Sequence, residues 1–291
     1  MLKSVRWAII AMGIFVTTAA FAVAQSGGIG RLVDSIRSDG ASEGIAADQR
    51  ASSSQSADDF RWAGRLSAGD AVEVKGINGS IRAGAASGAE VEVRASAHGR
   101  KSDPSTVRIE VVEHAGGVTV CAVYPSPEGE RANSCEPGEG GRMNTRHNDV
   151  TIDFEVLLPA GVDFVARTVN GEVEALDLGG DVSATTVNGD VEISTTGFAR
   201  AETVNGDIDA AMGAHDLSAG AAFETVNGSI TLDVADDVNA DLSAKWLNGE
   251  FESDIPFMLS GRMSRQSASG TLGDGGPQLD LRTVNGSIRI R

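Results

Sequence analysis

From Phe60 onward the chain alternates apolar and polar residues in short runs. Ala71-Val72-Glu73-Val74-Lys75, Ala89 to Arg94, Val107 to Val111 and Val118 to Cys121 each place apolar side chains on one face and polar ones on the other. That two-residue period predicts half-buried β-strands, and Gly-containing turns separate them. Residues 125–148 break the pattern with a polar stretch containing Pro and Gly, after which Val150 to Val156 resumes it and stops at Pro159. Residues 25–59 sustain neither a strand nor a helix period and are rich in Gly, Ser, Ala, Asp and Arg, which predicts a flexible tether.

A repeat follows. Thr-Val-Asn-Gly occurs at Thr168, Thr186, Thr203, Thr225 and Thr283, with Trp246-Leu247-Asn248-Gly249 as a degenerate copy and Ile77-Asn78-Gly79-Ser80 as an outlying one. Successive Asn residues from Asn170 are 18, 17, 22, 21 and 37 apart, and the last interval divides into about two periods if Ser269-Gly270 is a worn copy. Periods near 20 built of short strands predict an all-β chain: a parallel β-solenoid of two-sheet rungs over residues 161–291, preceded by a β-rich start over 60–160. Asn78, Gly79, Asn170, Gly171, Asn188, Gly189, Asn205, Gly206, Asn227, Gly228, Asn248, Gly249, Asn285 and Gly286 are then the rung corners. Asn and Gly suit a corner that needs positive φ, and stacked Asn side chains can bond one another as a ladder.

Alternation also predicts which way side chains face. In Val238 to Trp246 the even positions are apolar, so they face inward, and the same register carries Asn248, Thr283 and Asn285 to the inner side. The repeated Thr and Asn are thus expected inside. Val169, Val187, Val204, Val226, Leu247 and Val284 are expected outside, as an apolar stripe that either docks a partner or is covered by a segment of the same chain. After each corner Val173, Val191, Ile208, Ile230, Phe251 and Ile288 begin the next inward column.

Leu157-Leu158-Pro159-Ala160-Gly161 leading into Thr168-Val169-Asn170-Gly171-Glu172-Val173, the recurring units, and the closing Leu279 to Ile288 carry a resemblance. Over residues 60–291 the chain resembles the bacterial DUF4097 family of β-strand repeat proteins, labelled candidate adhesins. The resemblance implies a solenoid and a surface or envelope role. It supplies no catalytic residues to carry over.

Composition narrows the partners. The chain has 24 Lys and Arg against 41 Asp and Glu, a net charge of -17, and a surface that acidic repels polyphosphates, which argues against nucleic acid as a partner. Lys3 and Arg6 precede an uncharged apolar stretch, Ala8 to Phe21, and Ala22-Val23-Ala24 fits signal peptidase, so residues 1–24 read as a cleaved secretory signal and the mature charge becomes -19. The expected destination is periplasmic or extracellular, with no membrane span in the mature chain. In such a compartment Cys121 and Cys135 are expected to form a disulfide, not a zinc site. Gly at 36 residues and few aromatics suggest thin, repetitive layers.

Catalytic chemistry is hard to assemble from these residues. Gly40-Ala41-Ser42-Glu43-Gly44 matches a nucleophile elbow but sits in the tether, and His98, His114, His147 and His215 are dispersed. Asn78, Asn227 and Asn285 head glycosylation sequons that are better explained as turns. Glu172, Asp190, Asp207 and Glu250 follow the corners, with Ser229 and Ser287 interrupting, so stacking predicts an acidic column that a calcium ion would relieve; an ordinary solvated edge is the alternative. Sugar stacking would need exposed Trp62, Trp246 or Tyr124. The reading is a non-enzymatic exported scaffold or adhesin without metal or cofactor, binding a protein or cell-surface partner; alternatives are an envelope-stress regulator and a polysaccharide-acting β-helix enzyme.

Overall fold

A computed structural model of the chain describes residues 50–57, 60–213, 220–235, 237–259 and 264–291. The signal segment, the first part of the tether with its Gly-x-Ser-x-Gly match, and His215 lie outside the described residues. Two sheets of twelve and ten strands contain nearly all the regular structure, and the short 3-10 turn Pro104–Thr106 is the one helical piece among the described residues.

Each rung contributes one strand to each sheet, joined by a corner except in the second rung, where a long excursion makes the link. In chain order the rung pairs are β3 (Ala71–Lys75) with β4 (Ile81–Ala85), β7 (Gly117–Val123) with β8 (Thr151–Leu158), β9 (Asp163–Arg167) with β10 (Val173–Leu178), and β11 (Val182–Thr185) with β12 (Val191–Thr195). They continue with β13 (Ala199–Glu202) and β14 (Ile208–Met212), β15 (Ala221–Glu224) and β16 (Ile230–Val234), β17 (Ala240–Asn248) and β18 (Phe251–Ser253), and β21 (Gln278–Asn285) and β22 (Ile288–Ile290). All neighbours among these strands are parallel. Antiparallel strands flank the stack. At one end stand β1 (Arg50–Ser56) and β6 (Arg108–His114) on the first sheet and β2 (Phe60–Gly64) and β5 (Val91–His98) on the second; at the other, β19 (Met258–Leu259) and β20 (Ser267–Leu272) extend the first.

Four expectations need correction. The tether expectation fails at its C-terminal part, because Arg50–Ser56 is a strand paired with β6. The expected boundary at residue 161 does not divide the stack: β3/β4 and β7/β8 are rungs of the same solenoid, with Asn78 bridged to Asn170 across 92 residues of sequence. Ser269-Gly270 is not a worn corner, since it lies inside β20, which runs antiparallel to β17. Finally, rung order departs from sequence order, for β21/β22 inserts between β15/β16 and β17/β18. The 37-residue interval is an antiparallel excursion followed by a return into the stack.

Between the sheets the core is a thin layer of alternating inward residues. Along β9, Phe164 and Ala166 are buried; along β11, Val182 and Ala184; along β13, Ala199 and Ala201. Small Ala alternates with Val and Ile in this layer, while Phe154, Phe164 and Phe223 are the larger fillers. At the late end Trp246 turns inward as expected and stacks on Phe251, ring centroids 5.5 Å apart. That pair closes the end of the core where no further rung follows.

Candidate interaction surface

The corner between the two sheets is a set of parallel ladders. Each Asn side chain donates Nδ2 to the Oδ1 of its neighbour, from Asn170 to Asn78 at 2.9 Å through Asn188, Asn205, Asn227 and Asn285, and from Asn248 to Asn285 at 2.7 Å. Beside it, each Thr hydroxyl donates to the Gly carbonyl one rung back: Thr168 to Gly79, Thr186 to Gly171, Thr203 to Gly189, Thr225 to Gly206 and Thr283 to Gly228. These bonds repeat at strand spacing, so one solution to corner hydrogen bonding serves every rung.

The Thr column is buried, but the Asn column faces solvent, contrary to the inward expectation. Alternation holds along a straight strand and cannot be carried through a corner, which redirects the chain between Thr and Asn. Gly79, Gly249 and Gly286 have the positive φ expected of a corner, at 125°, 147° and 157°, but the other four corner glycines are required for a different reason. None of the corner asparagines has positive φ, and Gly171, Gly189, Gly206 and Gly228 do not have it either. A Cβ on these glycines would instead meet the preceding corner's carbonyl oxygen at about 2 Å, for instance Gly79 O from Gly171 at 2.0 Å and Gly171 O from Gly189 at 2.1 Å. Close stacking of backbone on backbone selects Gly here.

Flanking the Asn ladder, Val169, Val187, Val204 and Val226 are half-buried, and the row becomes exposed at Val284 (37%) and Leu247 (52%). Val169 also packs against the core. On the other flank the acidic column has a backbone role: Asp190 Oδ1 accepts from Asp207 N at 2.8 Å and Asp207 Oδ1 from Ser229 N at 2.7 Å, while Ser229 and Ser287 hydroxyls accept from Ser287 N and Glu250 N. Asp153 does the same for Ser80 N at 2.8 Å. The Asp153, Asp190 and Asp207 carboxylates are each aimed along the stack at an amide, and among the described residues no three metal-ligating side chains converge. The sequon asparagines have their Nδ2 groups engaged, Asn227 and Asn285 in the ladder and Asn78 on Val150 O at 3.3 Å.

A second Asp series lines the strand starts of the first sheet. Asp163 Oδ1 accepts from Asp181 N and Asp181 Oδ1 from Phe198 N, both at 2.9 Å. Burial pushes the Asp163 carboxyl up, the Asp181 amide offsets part of this, and the Asp181 and Asp70 carboxylates push it further. The folded protein therefore holds this proton more tightly than the unfolded chain, so the acid's contribution is present at low pH and lost as pH rises through its folded-state value. Asp163→Asn keeps the acceptor and removes the charge. Thermal melts should show the variant above wild type near neutral pH and the two converging near about pH 4; an equal gap at both would mean that charge is not the cause.

The excursion after β7 forms a strap that sequence reading did not anticipate as a cover. Cys121 and Cys135 are disulfide-bonded, closing a loop worth about 3 kcal/mol of chain entropy. Inside the strap Asn133 donates to Tyr124 O and Asn144 O, and Glu130 binds Arg142, Asn144 and Arg146. Beneath it, on the outward face of β3, Glu73 and Lys75 are buried. Glu73 receives Arg167 Nε at 3.1 Å, Thr119 Oγ1 at 3.0 Å and Gly138 N at 2.8 Å, with Lys75 Nζ 3.6 Å away. Lys75 also donates to the carbonyls of Glu136, Gly138 and Gly140. Burial pulls the Lys75 ammonium down from its ordinary range, opposed chiefly by Glu73. Tyr124, also buried, donates to Val150 O at 2.9 Å, and burial pushes its phenol up to about 12.

Neither Tyr124 nor Trp246 is an exposed platform for a sugar ring, and Trp62 is half-buried with its ring against Gly64. A shallow depression on the outer face of the second sheet is lined by Arg82, Glu92, Arg94, Glu155 and Leu157; Arg94 pairs with Glu92 there, and Arg82 with Glu174 beside it. Among the described residues no helix is long and apolar enough to cross a membrane.

Comparison with known proteins places these features. No curated protein matches the chain. Among solved structures it is similar to a candidate cell adhesion protein from Clostridium sporogenes, at 8% identity and a TM-score of 0.42 over 80% of this chain and 98% of that one. It is also similar to a candidate adhesin from Bacteroides fragilis, at 10% identity and a TM-score of 0.34 over 80% and 97%. The family model described as Toastrack DUF4097 matches residues 167–291, the stretch that holds all five Thr-Val-Asn-Gly units and the Asn248 corner. Over that stretch the chain is similar to the Toastrack DUF4097 family.

Proposed function

We propose that this protein is an exported, non-enzymatic scaffold or adhesin that binds a protein or cell-surface partner along its stacked corner. The observation that carries the reading is the continuous strip formed by the Asn ladder and the Val row, repeated rung after rung with apolar and amide groups side by side. A periodic strip of that kind suits an extended or repetitive partner, whose own spacing it can match over several rungs. The disulfide under the strap supports an oxidising compartment.

Replacing Val187 and Val204 together by Lys tests it. Both side chains are half-buried and face outward, so the Lys stems can lie along the surface with their ammonium groups in water, and the fold should persist. In crosslinking against envelope fractions, wild type should capture a partner that the double variant loses at unchanged melting temperature. Equal capture by both proteins would place the contact elsewhere, and a collapsed melting temperature would mark the Val row as internal packing.

A further inference from the structure

Seven Asn-Gly steps share the corner, and one is chemically unlike the rest. In an unstructured chain Asn followed by Gly is prone to cyclise, because no Cβ hinders the Gly nitrogen from attacking the Asn side-chain carbonyl carbon. A C–N bond forms, the amide leaves as ammonia with the nitrogen's proton, and a five-membered succinimide results. Water then opens the ring at either carbonyl, giving aspartate or isoaspartate.

Six of the steps are held on both counts. The Gly N–H groups of Gly79, Gly171, Gly189, Gly206, Gly228 and Gly286 donate to the Asn carbonyl of the next rung at 2.8 to 3.0 Å. In the same six steps the Asn Oδ1 receives the neighbouring Nδ2 at 2.7 to 2.9 Å. To cyclise, such a step must release its Gly N–H, pull its side chain from the ladder and twist a corner clamped between rungs.

Asn248-Gly249 is the terminal step. Its Nδ2 reaches Asn285 Oδ1 at 2.7 Å, but no described residue donates to Asn248 Oδ1 or accepts from Gly249 N–H, and both residues are exposed. The neighbouring Leu247 carbonyl is reached by Gln266 Nε2 at 3.4 Å, and the strand that follows, β18, is three residues long and forms the edge of its sheet. We propose that Asn248-Gly249 is a self-modification site, at which the Gly249 nitrogen closes on Cγ of Asn248, ammonia leaves, and hydrolysis installs aspartate or isoaspartate at the open end of the corner ladder. The product loses the Nδ2 donor to Asn285 and places a new carboxylate two residues from Glu250. As isoaspartate it also lengthens the backbone between β17 and β18 by one methylene, shifting β18 against β22.

Incubation of the purified protein at mildly alkaline pH, followed by peptide mapping of all seven Asn-Gly sites, tests the proposal. In the native protein acid should appear at residue 248 at least about tenfold faster than at any other corner, since each of the others must also release its Gly N–H and the donor held by its Asn Oδ1. The same protein unfolded in urea should convert all seven at similar rates. Asn248→Gln should remove the fast native conversion, because a six-membered imide closes far less readily. Native conversion at 248 no faster than at the other six, or none there while the unfolded control reacts, would overturn the assignment, and the wild-type map alone decides it if the variant folds poorly.

Discussion

Gly206→Ala is expected to cost about 3 kcal/mol or more, lowering the melting temperature by roughly 6 to 12 °C. The added Cβ would lie 2.0 Å from Gly189 O, 2.5 Å from its carbonyl carbon and 2.9 Å from Asp190 Oδ1. None of these can yield cheaply. Gly189 O already accepts the Thr203 hydroxyl, Asp190 Oδ1 holds Asp207 N, and the corner is clamped from the other side by Gly206 N on Asn227 O. The rungs must therefore separate locally, breaking the Asn and Thr ladders together. Gly84→Ala is the control: its Cβ would meet nothing within 4 Å and its φ is not positive, so Ala there should be neutral or slightly stabilising through the unfolded chain. Urea titration of both variants checks the pair. Equal midpoints would mean that the corner is free to open and that close approach does not select the glycine.

Glu73→Ala should be the most damaging change on an outward strand face, at about 3 to 5 kcal/mol. Removing this carboxylate leaves Lys75 buried without its counter-charge and strips Arg167, Thr119 and Gly138 N of their shared acceptor. Arg167 can turn toward water, being partly exposed, but Lys75 is sealed under the strap. The physical signature is non-additivity. Glu73→Leu combined with Lys75→Met removes both buried charges and should be more stable than Glu73→Ala alone, because charge burial and its compensation disappear together. Denaturant midpoints of the single and double variants decide this; a double variant as unstable as the sum of its parts would refute the coupling.

How far the fold was legible depends on where each signal lies. The Thr-Val-Asn-Gly recurrence predicts parallel stacking, and the structure places those corners in one bridged column. Burial of the Thr side chains also follows from strand alternation, as does that of Trp246. Asn orientation does not, because alternation describes a straight strand and the column lies on the bend. Nor can spacing alone reveal the late rung order: Ala268, Gly270 and Leu272 are buried alternately in β20, the same pattern a rung strand carries, so direction is hidden until pairing is known. The cluster around Glu73 was out of reach for another reason. Its partners stand 46, 65 and 94 residues away, and Glu73 and Lys75 occupy the polar side of an ordinary alternating strand. Only the strap's path over that side makes them interior.

The displaced rung also bears on assembly. A regular solenoid grows by adding each new coil to an open end, and losing the latest coil merely shortens it. Here β21/β22 comes later in sequence than both of the rungs it separates, so the Asn248 coil cannot join the column until chain beyond it has threaded into place. The segment works as a keystone. Deleting it would leave an internal gap with two facing unpaired edges, making the column as a whole dependent on its latest strands in a way that open-ended growth is not.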